Sequence, residues 1–256
     1  MRPYDSWTFF IRIRNGEDIM VEAFEKYISS YSLDQSYMRL KHDHSIRVME
    51  LMEKYAKKLG FNEDDIELAK LIGLIHDIGR FEQYKVFGSD VDHKTVDHAD
   101  YSVVQLFDKG EIRLFTDREE WYPIIEFAVK NHNKRFIPYT EDERVLLFAK
   151  LIRDIDKLDI IYLLGYLGQH LYKDVNADIT GDVRNYVLNH ETVDVTKCVN
   201  ENDWTTAQFA FVFDINNNII LNEYKENLGY LYERVNKERF KEIYEEILKY
   251  IAERID

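Results

Sequence analysis

The sequence has 256 residues, of which 45% are hydrophobic and 32% charged, a composition that can bury a core and excludes a disordered or fibrous chain. The 48 acidic residues outnumber the 34 basic ones, and the net charge of −14 disfavours binding to nucleic-acid polymers and to acidic membrane surfaces. With only 3 prolines and 10 glycines for tight turns, the chain favours helices over a many-stranded sandwich or barrel.

Several features of the chain indicate a single protein domain in a reducing compartment. Cys198 is the sole cysteine, which excludes an intrachain disulfide and a CxxC metal site and indicates a cytoplasmic location. Residues 1–15 lack the pattern of a signal peptide, and no apolar run approaches the ~18 residues of a membrane span. We therefore expect one all-α domain over residues 1–256, with a metal-binding core over about 40–165 and a helical extension over about 166–256.

The apolar residues recur with a helical period along most of the chain. Helices are predicted over residues 18–30, 44–59, 62–79, 99–107, 123–132 and 141–167. Gly60 is expected to end the second helix, and Asn62 is expected to be the N-cap of the third. Thr140 with Glu143 three residues later predicts a capping box before the last of these helices.

The carboxy-terminal third is less uniform in its pattern. Residues 228–251 have a clear helical period. Residues 209–214 and 219–224 flank an asparagine-rich turn and fit a β-hairpin, although Phe211 and Ile215 also fit a helical face. We expect helix throughout this part of the chain.

Histidine and aspartate stand on otherwise apolar helical faces at six positions. These residues are His44, His76, Asp77, His98, His132 and Asp156. A single histidine on such a face is more often a hydrogen-bonded core residue than a ligand, but a buried carboxylate needs a cation or donors. Four imidazoles and two carboxylates in one core require a shared cation. Imidazole with carboxylate suits iron, manganese, zinc or nickel better than calcium or magnesium.

The neighbouring residues His76 and Asp77 constrain the geometry of such a site. Adjacent residues on a helix are offset by ~100°, so both side chains reach one centre only near the end of a helix. Gly79 directly afterwards is expected to provide that end.

The order of these residues resembles the HD superfamily of metal-dependent phosphohydrolases. The pattern of that family is a histidine, then His-Asp, then a distant aspartate, and it stands here as HSIRV (His44), LIHDIGR (His76 and Asp77) and RDIDKLD (Asp156). Two intervening histidines, in DHADYSV (His98) and VKNHN (His132), are similar to the expanded pattern that holds two metal ions.

The resemblance implies a helical bundle with two divalent transition-metal ions. One ion would be held by His44, His76, Asp77 and Asp156, and the other by Asp77 as a bridge together with His98 and His132. In such a centre a hydroxide activated by both metals attacks a phosphoester or phosphoanhydride in line. Asp77 would thus belong to the catalytic machinery as well as to the metal site.

Further polar residues stand close to this pattern. Arg80 and Lys157 are candidates for contacts with the phosphate group, although the family often has lysine at the position of Arg80. Asp159, one turn after Asp156, is a candidate for supporting a metal ligand. Arg47 is expected to lie on an exposed helix face.

The main functional hypothesis is a metal-dependent phosphohydrolase that acts on a small phosphorylated molecule, such as a nucleotide. No P-loop and no GxGxxG after a strand is present, so a nucleotide would not be bound by those motifs. One alternative is an oxygenase with two irons, similar to myo-inositol oxygenase and a phosphonate-cleaving relative. A second alternative is a module that senses a metal or a ligand.

Overall fold

The computed structural model describes residues 17–32, 34–168 and 176–255. All regular elements of this part of the chain are helical, which confirms the all-α prediction. The α-helices are α1 (Glu17–Ser29), α2 (Gln35–Lys58), α3 (Glu63–Ile75), α4 (Gly79–Phe87), α5 (His98–Val103), α6 (Tyr122–Asn131), α7 (Glu143–Gly165), α8 (Gly181–Leu188), α9 (Glu201–Phe209), α10 (Leu221–Tyr232) and α11 (Lys237–Ile255). The amino-terminal residues 1–15, judged above for a signal peptide, lie outside the described residues.

Polar side chains begin the helices by binding backbone amides that have no partner in the first turn. The predicted cap of α3 is present, since the Asn62 side chain accepts a hydrogen bond from the amide of Asp65. The predicted capping box at Thr140 is wrong. Asp142 caps α7 by accepting from the amides of residues 144 and 145, while the Thr140 hydroxyl accepts from the amide of Asp142.

Two boundaries near the candidate ligands differ from the prediction. Helix α2 begins at Gln35, well before residue 44, because Asp34 caps it and its first turns carry few apolar residues to reveal the period. Helix α3 ends at Ile75, so that His76 and Asp77 lie in the turn beyond it. Gly79 is therefore the first residue of a separate helix, α4, rather than the end of α3.

The carboxy-terminal part is helical as expected, but its segments differ from the prediction. Short 3₁₀ helices, Ala210–Asp214 and Asn218–Ile220, occupy the positions that could have formed a hairpin. The helix predicted over 228–251 is divided between α10 and α11. The side chain of Asn236 accepts from the amide of Arg239 and so begins a new helix there.

The helices pack around a core to which α2, α3, α6 and α7 contribute about half of the buried apolar side chains. Helices α2 and α3 lie very close, because a Cβ at Gly73 would stand 2.9 Å from the Cα of Met49. Helix α7 packs against α2 and α6 and also against α10. At the contact with α10, a Cβ at Gly165 would stand 2.6 Å from the carbonyl oxygen of Asn227. The helix that carries Asp156 and Asp159 is thus packed between the helices that precede it and α10.

None of the described helices is both long enough and apolar enough to cross a membrane.

Candidate metal centre

The six predicted ligands converge in the core of the described structure. His44 lies within α2 and Asp156 within α7, and His98 is the first residue of α5. His76 and His132 directly follow α3 and α6, and Asp77 follows His76. All six side chains are buried, with His76 0% and His132 1% exposed. The fold therefore brings together residues that are spread over more than a hundred positions of the chain.

One half of the cluster is built by His44, His76, Asp77 and Asp156. The Nε2 atoms of His44 and His76 are 3.2 Å apart. The Oδ1 atom of Asp156 lies 3.3 Å from Nε2 of His44 and 3.6 Å from Nε2 of His76. The Oδ2 atom of Asp77 lies 3.8 Å from Nε2 of His44.

The other half is built by Asp77, His98 and His132. The Nε2 atoms of His98 and His132 are 3.0 Å apart. The Oδ1 atom of Asp77 lies 3.3 Å from Nε2 of His98 and 3.7 Å from Nε2 of His132. The two oxygens of Asp77 thus face different halves of the cluster, as a bridging carboxylate requires.

Each of the four imidazoles has its Nε2 in the cluster and makes a hydrogen bond through Nδ1, its other ring nitrogen. These hydrogen bonds fix the orientation of the rings. At the ends of α3 and α6, Nδ1 of His76 and of His132 donates to the carbonyl oxygen three residues earlier, at 2.7 Å in both cases. Nδ1 of His44 is bound to Asp159 at 2.7 Å, and Nδ1 of His98 to Asp92 at 2.5 Å. Such partners are typical of metal-binding histidines, because they hold the proton on one nitrogen and free the other.

This arrangement fits a divalent cation and is unfavourable without one. Carbonyl and carboxylate oxygens only accept, so Nδ1 carries the proton and Nε2 of a neutral imidazole presents a lone pair. Lone pairs about 3 Å apart repel each other unless a cation lies between them. The Oδ1 atom of Asp77 is also buried without a hydrogen-bond partner. For ligand bonds of about 2.1 Å, neighbouring ligand atoms are about 3.0 to 3.4 Å apart, which is close to the separations observed.

Comparison with known families agrees with this geometry. The sequence model of the HD domain matches residues 42–161. Residues 42–161 are therefore identified as an HD domain. Most proteins of this family are metal-dependent hydrolases, and HD domains bind divalent metal ions. The same comparisons found no match among curated proteins or solved structures.

Burial and neighbouring charges set the protonation of the histidines and aspartates of this cluster. Burial lowers the pKa of His76, and it lowers the pKa of His98 to about 4. Burial alone would also lower the pKa of His44, but hydrogen bonds to Asp156 and Asp159 outweigh it and raise this pKa to about 9. For Asp77, burial raises the pKa, but the charges of Lys41 and Arg80 dominate and hold it well below its usual value.

Arg80 lies beside the cluster in the HD domain. Its Nε atom is 3.6 Å from Oδ1 of Asp77 and makes no hydrogen bond. One Nη atom donates to the carbonyl oxygen of Asp90 at 2.6 Å and to Oδ1 of Asp92 at 2.8 Å. The guanidinium is therefore held in place by the loop that also binds His98, and its contact with a phosphate stays a prediction.

Lys157 and Arg47 have carboxylate partners. The ammonium of Lys157 lies 2.8 Å from Oδ2 of Asp214, and its catalytic role stays a prediction. Arg47 was expected on an exposed face, which is wrong. Its Nε and Nη2 donate to the two oxygens of Asp159 at 2.7 and 3.0 Å, so it holds the carboxylate that orients His44.

Two polar residues of the site were missed in the sequence. Asp92 stands in an irregular loop in which no period relates it to His98, so no sequence signal pointed to it. Lys41 stands three residues before His44, on the same side of a helix, and its Nζ lies 3.0 Å from Oδ2 of Asp77. If Asp34 had been recognised as the N-cap of α2, Lys41 would have been placed on the same helix as His44, one turn away from it.

Proposed function

We propose that this protein is a metal-dependent phosphohydrolase that removes a phosphoryl group from a small phosphorylated molecule such as a nucleotide. The observation that carries the proposal is the convergence of the Nε2 atoms of four histidines with the carboxylates of Asp77 and Asp156. The two oxygens of Asp77 face different pairs of these histidines. This donor set suits two transition-metal ions such as iron, manganese, nickel or zinc.

Each protein group has a defined part in this function. His44, His76, Asp77 and Asp156 would hold one ion, and Asp77 with His98 and His132 would hold the second. Two divalent ions so placed lower the pKa of a water molecule and stabilise negative charge on the phosphoryl oxygens. Arg80, with its unpaired Nε directed at the cluster, contacts a phosphate oxygen. The buried walls exclude bulk water and strengthen these electrostatic interactions.

The test begins with metal content, measured on protein purified without chelator or affinity metal. After reconstitution with manganese, iron, nickel or zinc, phosphate release is measured from nucleoside mono- and triphosphates and from simple phosphomonoesters, with and without oxygen. We expect two ions per chain and hydrolysis that is independent of oxygen. Loaded protein that releases no phosphate but consumes oxygen with a substrate would favour the oxygenase hypothesis.

A matched pair of variants tests the ligand assignment. Asp77→Ala removes the bridging carboxylate and is expected to lose both ions and all activity. Asp182→Ala replaces an exposed aspartate on α8 and is expected to keep both. Metal content and activity that persist in Asp77→Ala would show that the site lies elsewhere.

A further inference from the structure

Lys41 lies at the edge of the cluster of candidate metal ligands. It lies on α2, one turn before His44, and its ammonium is 3.0 Å from Oδ2 of Asp77. Its side chain is 15% exposed, whereas that of His44 is 5% exposed. A partly exposed side chain thus contacts the buried carboxylate.

Lys41 has binding capacity that the protein does not use. An ammonium has three N–H donors, and among the described residues Asp77 is the one hydrogen-bond acceptor of Lys41. Arg80, the other cation beside Asp77, is held by Asp90 and Asp92. Of these two cations, Lys41 therefore makes fewer bonds to the described protein and keeps two N–H groups for a ligand.

The charges around the cluster favour a ligand with more than one negative charge. Four carboxylates, those of Asp77, Asp92, Asp156 and Asp159, are in contact with the histidines. The cations Lys41, Arg47 and Arg80 contact these carboxylates and leave one excess negative charge. Two divalent ions would convert it into an excess of three positive charges, or of two with a bound hydroxide, and such an excess is unfavourable in a buried site without a further anion.

We propose that Lys41 binds a terminal oxygen of a dianionic phosphate group and thereby selects phosphomonoesters over phosphodiesters. This inference rests on the proposed function of the same site. A monoester carries close to two negative charges at neutral pH and has three terminal oxygens, whereas a diester carries one charge and has two. With two oxygens near the metal ions, a monoester has a third for the free N–H groups of Lys41.

Binding of a matched pair of ligands tests this selection independently of an activity assay. The probes are phenylphosphonate, a dianion at pH 8, and its monomethyl ester, a monoanion, titrated calorimetrically into metal-loaded protein. We expect the wild type to bind the dianion at least about tenfold more tightly. Lys41→Met should weaken dianion binding by about tenfold or more and change binding of the ester much less, while Lys41→Arg retains the preference.

Matched controls separate this role from a structural one. Arg39→Met removes an exposed cation from the same helix and is expected to leave both affinities unchanged. Metal content is measured for each variant. Unchanged dianion binding in Lys41→Met, equal binding of both probes by the wild type, or loss of metal from Lys41→Met would each overturn the inference.

The outcome for Lys41 and the outcome for the proposed function can be told apart. Wild-type protein that hydrolyses monoesters while Lys41→Met has the same kcat/KM overturns the role of Lys41 alone. Wild-type protein that binds phenylphosphonate through Lys41 but hydrolyses no phosphoester overturns the proposed function alone.

Discussion

At the scale of single residues, the two halves of the cluster use the same chain of contacts. In one half Arg47 binds Asp159, which binds His44, and in the other Arg80 binds Asp92, which binds His98. Burial raises the pKa of Asp159 and of Asp92, but the facing histidine and arginine outweigh it, so that both pKa values lie below the usual range. Each carboxylate stays ionised and would make its imidazole a better ligand for a metal ion.

These two carboxylates are predicted to support different ions. Asp159→Asn should weaken the ion held by His44, and Asp92→Asn the ion held by His98, by about 10- to 100-fold in affinity each. The measurement is metal content per chain during titration with a chelator of graded strength. Asp182→Asn, on the surface of α8, serves as the control with two tightly held ions. Equal loss of both ions in either variant would contradict the separate roles.

The sequence predicted the candidate ligands of this site better than the residues that support them. His44, His76, Asp77, His98, His132 and Asp156 were recognisable because polar residues on apolar helical faces stand out against the period. Asp159 was recognisable by its spacing of one turn from Asp156. Asp92 was not, because a loop residue is brought to His98 by the tertiary fold and carries no periodic signal.

At the scale of helices, the ends of the elements position the chemistry. His76 and His132 each follow the last residue of a helix and use Nδ1 to bind one of its terminal carbonyl groups. The sequence predicted that the His-Asp pair needs a helix end but placed that end at Gly79. The structure instead uses Gly79 to begin α4 against α5, where its amide donates to the hydroxyl of Ser102 at 2.8 Å.

This close approach predicts a strong effect of one methyl group. In Gly79→Ala the new Cβ would lie 2.7 Å from the carbonyl oxygen of His98 and in conflict with the amide of Ser102, so α4 and α5 must separate. We expect a loss of about 1–3 kcal/mol in the free energy of unfolding and weaker binding of the ion at His98. Urea denaturation and metal content measure both effects.

The control for this variant lies at another helix start. Gly181 is the first residue of α8, and a Cβ there would meet nothing within 4 Å. Gly181→Ala should therefore leave stability and metal content unchanged or raise stability slightly. A similar loss of stability in both variants would contradict the steric explanation for Gly79.

At the scale of the whole molecule, α7 joins the HD domain to the carboxy-terminal helices through buried charges. Arg153, 2% exposed, donates to the carbonyl oxygens of Asn131 and Lys134 and to Asp214. Asp154, on the same turn, accepts from the amides and side chains of Asn216 and Asn217. Charged residues in a helical sequence usually mark a solvated face, so the sequence could not predict that this side of α7 is covered.

The carboxy-terminal part therefore has a structural link to the metal site. Asn131 and Lys134 flank His132, and Arg153 holds both of their carbonyl groups while it is itself bound to Asp214. Unfolding of the carboxy-terminal helices would free Arg153 and loosen the segment that carries His132. Metal binding and the folding of the whole chain should consequently be coupled.

This coupling predicts that removal of metal destabilises the entire protein. A ligand at about 1,000 times its dissociation constant stabilises the folded state by about 4 kcal/mol, which for a chain of this size corresponds to a rise in Tm of about 10 °C. Calorimetry of the purified protein before and after treatment with a chelator should show one transition that moves down by about this amount and returns when metal is restored. Asp77→Asn, which lacks the bridging carboxylate charge, should melt near the lower temperature and respond little to the chelator. A Tm that the chelator leaves unchanged in the wild type, or two transitions of which only one moves, would show that the metal site and the carboxy-terminal helices fold independently.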